Sequence, residues 1–313
     1  MYLVCGEALF DFFLTGETGP GEAHFDARAG GSPFNVAIGL ARLGEASALM
    51  TGLSNDLMGG RLASVLKKEG VSADYLVRTD RKTTLSLVGL DANGSPAYAF
   101  YSTNSADTGV TIADLPKLGA DVLGLHFGSY SIVVAPVADA LAHLAANAGG
   151  RFVSLDPNVR PTVEPEMNAW RKRTAVLAGH ADLIKISAED IEILYPGKSH
   201  GELAQEWIDG GAGIVVVTDA GNPAHAWSST GLRGTTTPPK TKVVDAVGAG
   251  DTFQASLLSE LARMGNPREI VHNLTQKQLD SMLTFAATAA AITCSRRGAD
   301  LPTRAEVKAK LKA

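Results

Sequence analysis

The chain alternates short apolar runs with longer segments whose apolar residues recur at helical spacing. The runs predict buried strands, because each is a brief and nearly uninterrupted apolar stretch. These strands are predicted at 2–5, 46–51, 122–127, 152–155, 183–186 and 214–218. The intervening segments predict helices at about 34–43, 58–69, 136–148, 168–179, 200–210, 251–264 and 278–294. Strands that alternate with helices favour parallel pairing in a layered α/β sheet.

Two regions break that rhythm and predict a second, smaller sheet. Residues 84–90 and 97–101 alternate in the β manner, and the Asp-Ala-Asn-Gly-Ser-Pro run at 91–96 is typical of a hairpin connection. Residues 12–28 are rich in Gly, Thr and Glu and lack helical periodicity, so they are predicted to pair with the hairpin. We therefore expect one domain over residues 1–313, with a β lid formed by about 12–28 and 84–104.

Composition narrows the class of protein. The 313 residues are 45% hydrophobic and 19% charged, which allows a substantial core. A formal charge of −5 and scattered basic residues give no general attraction for nucleic acid or an acidic membrane surface. No apolar run reaches about 18 residues, and the first residues lack the features of a signal peptide. With only Cys5 and Cys294 as cysteines, a reducing, cytoplasmic location is expected.

The most informative motif is Asp-Ala-Val-Gly-Ala-Gly-Asp at 245–251. Gly248, Ala249 and Gly250 lack bulk, so a phosphoryl group can approach the backbone, and the free N–H groups of the following helix attract anions. Asp251 is predicted to open that helix beside the anion hole, within reach of a nucleophilic hydroxyl. By itself the pattern also fits a glycine-rich turn in which Asp251 only caps a helix.

Two motifs near the N-terminus carry groups suited to a polyol. Asp11 follows the first predicted strand, and ligands gather at the carboxyl ends of parallel strands. In the Ala-Gly-Gly-Ser-Pro-Phe-Asn run at 29–35, Gly31 permits close backbone approach and Asn35 offers a donor and an acceptor to a sugar hydroxyl. The alternatives are an exposed acid at a strand end and a plain helix-entry loop.

Two further motifs follow predicted strands. Asp-Pro-Asn-Val-Arg-Pro at 156–161 contains Arg160, which suits phosphate or sugar oxygens, and its two prolines also fit a stiff turn. Lys-Ile-Ser-Ala-Glu-Asp at 185–190 brings carboxylates that can hold a hydrated Mg²⁺ through its waters. Ser187 as a helix N-cap is the competing interpretation. A nicotinamide enzyme is not expected, because Phe253 stands where a dinucleotide fingerprint needs its third glycine.

Residues 29–35 and 245–251 together resemble the two signatures of the PfkB, or ribokinase-like, family of carbohydrate kinases, and the similarity extends over nearly the whole chain. Within that family, residues 30–35, 125–129 and 156–161 look most like bacterial fructokinases. The resemblance implies a three-layer α/β/α sandwich with a small β-sheet lid. It also implies transfer of the γ-phosphoryl of ATP to a primary hydroxyl of a monosaccharide, with fructose giving fructose 6-phosphate as the leading expectation.

The resemblance implies a role for each candidate residue. Asp251 would be the base, and the amides of Gly248, Ala249 and Gly250 would neutralise charge on the migrating phosphoryl group. Sugar contacts are implied for Asp11, Gly31, Asn35, Tyr101, Asn104 and Arg160. Nucleotide contacts are implied for Lys185, Ser187, Thr218, Gly221, Gly248, Gly250 and Gly298. Asp190 would bind Mg²⁺ through water, and Asp245 would lie near a monovalent cation such as K⁺.

The chain departs from the family pattern at three places. Ser187 and Asp190 stand where the family often has Asn and Glu, residues 219–223 add an acid and a proline to the phosphate loop, and Ser102 stands where many relatives carry Arg. Alternatives therefore stay open: a kinase of 2-keto-3-deoxygluconate, ribose or a nucleoside, or a non-catalytic sugar or nucleotide sensor. A homodimer is also open, because an exposed lid could pair edge to edge.

Overall fold

A nine-stranded sheet forms the centre of the computed structural model, which describes residues 1–19, 21–90 and 96–312. The strands are β1 (Tyr2–Cys5), β2 (Leu9–Gly19), β3 (Glu22–Gly30), β4 (Ser47–Ser54), β5 (Leu76–Thr79), β6 (Thr84–Leu90), β7 (Pro96–Tyr101), β8 (Gly124–Gly128), β9 (Phe152–Asp156), β10 (Leu183–Ser187), β11 (Ile214–Thr218), β12 (Ala224–Ser228) and β13 (Arg233–Thr236). The helices are α1 (Ser32–Arg42), α2 (Leu57–Lys68), α3 (Val137–Ala146), α4 (Met167–Ala178), α5 (Ala188–Leu194), α6 (His200–Asp209), α7 (Ala249–Met264), α8 (Pro267–Ile270), α9 (Gln276–Cys294) and α10 (Arg304–Lys312).

The central sheet is parallel except at one edge. Its order is β13-β12-β11-β10-β9-β8-β1-β4-β5, and the pairs from β5 through β11 are parallel. β12 and β13 add antiparallel strands beside β11. That edge was not predicted, because β13 reads Arg-Gly-Thr-Thr and offers no apolar run. The carboxyl ends of β1, β8, β9, β10 and β11 meet along one side of the sheet, as parallel pairing requires.

Helices cover both faces of this sheet, which confirms the predicted α/β/α layers. Apolar residues of α1, α2, α7, α9 and α10 form one core cluster, and those of α3, α4, α5 and α6 form the other. All seven predicted helices are present, with both ends within two residues of the predicted bounds. The short helix α8 and the C-terminal α10 were not predicted, and α5 agrees with the alternative in which Ser187 is a helix N-cap. Among the described residues, no helix has both the length and the apolar character needed to cross a bilayer.

The second sheet has four strands in the order β3-β2-β6-β7 and forms a lid. β2 pairs antiparallel with β3 and parallel with β6, and β6 pairs antiparallel with β7. Residues 12–28 therefore do join the hairpin, as their lack of helical periodicity predicted. The predicted hairpin connection lies, for residues 91–95, outside the described residues. β3 ends at Gly30, two residues before α1 begins, so the lid is joined directly to a core helix.

Candidate active site

A cavity of about 530 Å³ lies between the lid and the carboxyl ends of the central strands. The lid supplies Asp11, Phe13 and Phe100 to its wall. The core supplies groups from the ends of β1 and β9 and from the first turns of α1 and α7: Glu7, Gly31, Ser32, Asn35, Asn158, Arg160, Gly248, Gly250 and Asp251. Seven of the predicted site residues therefore meet at one cavity, although they come from four separate parts of the chain: Asp11, Gly31, Asn35, Arg160, Gly248, Gly250 and Asp251.

The first turn of α7 forms one end of this cavity. The helix begins at Ala249 with Gly248 as its N-cap, so Asp251 lies inside the first turn and the prediction that Asp251 opens the helix was wrong by two residues. Gly248 makes this start, because its φ of 78° is left-handed and a Cβ there would lie 2.6 Å from Ala299 Cβ. The N–H of Thr252 donates to Gly248 O at 2.9 Å. The N–H of Ala249, one of the three predicted for the anion hole, donates instead to Ala246 O at 3.2 Å. The N–H groups of Gly250 and Asp251 belong to the turn whose donors a helix leaves free for an anion.

Asp251 is buried and held from α1 through both carboxylate oxygens. Ser32 Oγ donates to Oδ1 at 2.7 Å, and Asn35 Nδ2 donates to Oδ2 at 2.8 Å. Burial raises the pKa of Asp251, the two hydrogen bonds oppose that rise, and the nearby charge of Asp156 adds to it. A carboxylate with a raised pKa and a fixed orientation is suited to accepting a proton.

A buried ion pair lies directly under that turn. Lys185 Nζ lies 2.6 Å from Asp156 Oδ2, with side chains 2% and 0% exposed. Lys185 Nζ also lies 3.4 Å from the position of a Cβ built on Gly250, so its positive charge is next to the backbone of the α7 turn. The other oxygen of Asp156 and the Asn158 Oδ1 atom are buried without a hydrogen-bond partner among the described residues. A cation, free amides and spare oxygens form a set suited to phosphates and to the waters of a bound metal ion.

Asp11 and Arg160 bring opposite charges to the cavity wall. Burial raises the pKa of Asp11, and the Ser86 hydroxyl and the Arg160 guanidinium oppose that rise. Gly31 lies beside them with a left-handed φ of 106°, and a Cβ there would lie 2.9 Å from Glu7 O. Only glycine fits this turn without moving backbone, so Gly31 shapes the cavity wall.

The structure does not bring Tyr101 or Asn104 to the cavity. Tyr101 is 62% exposed, and Asn104 is exposed in the turn after β7. Neighbouring residues of a strand point to opposite faces, and Phe100 takes the inward position beside Tyr130, with ring centroids 6.3 Å apart. The sugar contacts of Tyr101 and Asn104 stay predictions, and Phe100 is the aromatic residue of β7 that lines the cavity.

Ser187, Asp190 and Thr218 lie outside the cavity wall, at the ends of β10 and β11 and in the first turn of α5. Ser187 caps α5 by accepting the Asp190 N–H at 3.0 Å, and it pairs with Thr218 across β10 and β11. Asp190 Oδ1 accepts the Val159 N–H at 3.0 Å. Burial raises the pKa of Asp190, and the charge of Asp156 adds to the rise. Among the described residues no group of three or more His, Cys, Asp or Glu side chains is placed to hold a metal ion.

The loop after β11 contains the unusual acid of the sequence. Asp219 Oδ2 accepts Asn222 Nδ2 at 3.0 Å, and Asp219 O accepts the Asn222 N–H at 2.7 Å. These bonds hold the carboxylate in its own turn, where Gly221 is exposed. The predicted nucleotide contact at Gly221 therefore lies on an open surface.

Asp245 and Gly298 contact each other. Asp245 Oδ2 accepts the Gly298 N–H at 2.8 Å, and Asp245 Oδ1 accepts the Val247 N–H at 3.0 Å. Gly298 has a φ of 72°, and a Cβ on it would lie 2.5 Å from Nη1 of Arg28 in the lid. The carboxylate predicted to lie near a monovalent cation thus ties the α7 entry loop to the segment after α9.

The sequence did not identify Ser32, Glu7 or Phe100 as site residues. Glu7 is 1% exposed, and its signal was an acid two residues after a buried, apolar strand. Ser32 carried no such signal, because a serine before a proline at a helix start is ordinary. Its role becomes visible only once α1 and α7 are packed together.

Known proteins resemble this chain both in sequence and in fold. The family model described as pfkB family carbohydrate kinase matches residues 2–306. A fructokinase of Rhizobium leguminosarum bv. trifolii is 39% identical over 284 residues, covering 90% of this chain and 84% of that protein. The crystal structure of a fructokinase with bound ATP from Xylella fastidiosa superposes with a TM-score of 0.91 at 30% identity, covering 99% of this chain and 97% of that one. A fructokinase from Vibrio cholerae O395 in a fructose, ADP and calcium ion bound form gives 0.85 at 26% identity, covering 99% and 98%.

Proposed function

Because the chain belongs to the pfkB family of carbohydrate kinases and has the ribokinase-like α/β fold, we propose that it is an ATP-dependent fructokinase that forms fructose 6-phosphate. The observation that carries this proposal is a buried carboxylate, Asp251, fixed beside the α7 anion hole in a cavity that also contains Asp11, Asn35 and Arg160. The fructokinase relatives support fructose as the acceptor.

In the proposed reaction Asp251 takes the proton from the primary hydroxyl of the sugar. That oxygen forms a bond to the γ-phosphorus as the bond from this phosphorus to the ADP oxygen breaks, and the electron pair leaves with ADP. The amides at the start of α7 and the ammonium group of Lys185 stabilise the negative charge on the transferring group. Positioning and electrostatic stabilisation supply most of the catalysis in phosphoryl transfer.

The proposed partners of the nucleotide are the groups along β10, β11 and the α7 entry. Lys185, Ser187, Thr218 and Gly221 would line the phosphates and Gly298 the nucleoside side, while Asp190 would hold Mg²⁺ through its waters. A bound Mg²⁺ neutralises phosphate charge. Asp245 would lie near K⁺. The spare oxygens of Asp156 and Asn158 support a hydrated metal ion at this edge.

A panel of acceptors tests the proposal. A coupled assay with ATP and Mg²⁺ measures the rate of ADP release for fructose, ribose, 2-keto-3-deoxygluconate and a nucleoside. We expect the highest rate with fructose. Turnover of another acceptor with none for fructose would assign that acceptor instead. Tight ligand binding by calorimetry with no phosphoryl transfer to any acceptor would show a sensor.

Two further assignments belong to the proposal. The free thiols of Cys5 and Cys294 support a reducing, cytoplasmic location. The edge position of β3 in the lid sheet supports a homodimer formed by edge pairing. Sedimentation at several protein concentrations would distinguish a dimer from a monomer.

A further inference from the structure

The carboxylate of Asp251 is held by a chain of hydrogen bonds that starts at the end of β1. Ser32 Oγ donates to Asp251, and the backbone N–H of Ser32 donates to Glu7 Oε1 at 3.2 Å. Glu7 Oε2 accepts from Ser131 Oγ at 2.5 Å. Glu7, Ser32 and Asp251 are each less than a tenth exposed, so water competes little with these bonds.

Backbone geometry fixes Ser32, which is the middle of that series of hydrogen bonds. The left-handed turn at Gly31 lies against the carbonyl of Glu7, where a Cβ would come within 2.9 Å of it. The residue after this turn is Ser32, whose amide is therefore presented to the Glu7 side chain and whose hydroxyl is presented to α7. A change at Glu7 consequently reaches Asp251 through the position of Ser32.

We propose that Glu7 and Ser32 are positioning residues that orient Asp251 toward the acceptor hydroxyl, an inference that rests on the proposed kinase function. Glu7 fixes the Ser32 backbone, and the Ser32 hydroxyl fixes one oxygen of Asp251. Asn35 holds the second oxygen from the next turn of α1. The base is thus aimed by two donors on one helix, and Glu7 anchors the first of them.

The charged and titratable groups around this series of hydrogen bonds are acids, one lysine and one tyrosine. Glu7 faces Asp107 and Tyr130, and Asp107 accepts hydrogen bonds from Tyr130 Oη at 2.6 Å and Thr84 Oγ1 at 2.5 Å. Burial raises the pKa of Glu7 to about 7, with the charge of Asp107 adding to the rise. Asp251 faces Asp156 and Lys185. The Ser32 hydrogen bond lowers the pKa of Asp251, so its loss must raise that pKa.

The experiment measures kcat with fructose as a function of pH for Ser32→Ala, Glu7→Met and Glu7→Gln. Asp251 must be ionised to accept a proton, so kcat falls on the acid side of its pKa. We expect Ser32→Ala to move this acid limb to higher pH and to lower kcat at neutral pH by about tenfold, the scale of one lost charge-assisted hydrogen bond. Glu7→Met removes the acceptor and is expected to move the limb the same way, whereas Glu7→Gln keeps the acceptor and the wild-type limb.

A double variant and a matched control complete the test. If Glu7 acts through Ser32, adding Glu7→Met to Ser32→Ala changes the acid limb no further. The control is Ser259→Ala. Ser259 is a buried serine on α7, the helix of Asp251, and its hydroxyl donates to Glu45 at 2.8 Å. This variant should leave the acid limb in place. A kcat that falls equally at every pH in Ser32→Ala would overturn the proposal. So would an additive double variant, or a Glu7→Gln limb that moves like that of Glu7→Met.

Two arrangements keep the result decisive. If Glu7→Met does not fold, the Ser32→Ala profile decides alone. If the wild-type protein phosphorylates no acceptor, the proposed function fails, and carboxyl ¹³C NMR titration of Asp251 in wild type and Ser32→Ala then tests the positioning separately. An unchanged titration in Ser32→Ala overturns it.

Discussion

The two walls of the site are built differently. On the acceptor wall, Asp251, Ser32 and Asn35 are each less than a tenth exposed and hydrogen-bond to one another. On the proposed nucleotide wall, formed by Thr218 and the loop at 219–223, Gly221 is exposed and Asp219 is hydrogen-bonded to Asn222 of the same turn. The acceptor wall is therefore organised by the protein's own groups, as a step that depends on proton position requires. The proposed nucleotide wall offers an open turn.

The strongest way to break the acceptor wall is to remove its base. We expect Asp251→Asn to lower kcat by at least about a hundredfold, the scale of general-base loss, because the amide keeps the size of the side chain but cannot take the proton. Steady-state kinetics checks the rate, and calorimetry with fructose checks that binding survives. Near wild-type turnover would show that Asp251 is not the base. In the wild type, kcat should fall as the pH drops, because a protonated Asp251 carboxyl group can no longer accept the proton of the hydroxyl.

The ion pair below both walls gives the next largest effect. Lys185→Met leaves the Asp156 carboxylate buried without its cation, and breaking such a pair costs about 3 kcal/mol or more of the free energy of unfolding. Urea denaturation measures this loss. The control is Lys198→Met, which removes an exposed partner of Glu206 and should cost about 1 kcal/mol or less. Equal losses in the two variants would contradict the importance of burial.

The lid side of the acceptor wall can be tested with adjacent aromatic residues. Phe100→Ala removes a ring from the cavity and is expected to raise KM for fructose about fivefold, equivalent to about 1 kcal/mol of aromatic contact, with KM for ATP unchanged. Tyr101→Ala on the opposite face should change KM for fructose by less than about twofold. The reverse ranking in steady-state assays would mean that β7 presents its other face to the sugar.

The smallest expected effect belongs to the nucleotide wall. Asp219→Asn keeps the turn contact with Asn222 but removes a negative charge from the proposed phosphate loop. We expect KM for ATP to fall about twofold to threefold at low ionic strength and to approach the wild-type value in high salt, because exposed charges are screened. The control is Asp280→Asn, which also removes one negative charge. Asp280 is an exposed acid about 21 Å along α9 from Cys294, the last residue of that helix. A fall of the same size in that variant would assign the change to net charge alone.

The sequence predicted the layers of the fold better than the details of the site. Apolar spacing located seven helices and six central strands, because burial against a sheet imposes a period on the chain. It missed β5, β12 and β13, the strands at the two edges of the central sheet. It also did not identify which of Phe100 and Tyr101 faces the cavity, because both are aromatic. The roles of the site residues stay predictions, and the bonds from Ser32 and Asn35 to Asp251 span more than 200 residues. No local pattern encodes such a contact.

Both hydrogen-bond donors to Asp251 belong to α1, and none of the bonds described for its carboxylate comes from the lid. The proposed base is therefore held by groups outside the lid strands, although β3 leads directly into α1. Lid strands exchanged from a relative with another acceptor preference could alter selectivity without rebuilding the base. For protein engineering, the seams for such a transplant lie just before Leu9, after Gly30 and on either side of the hairpin of β6 and β7.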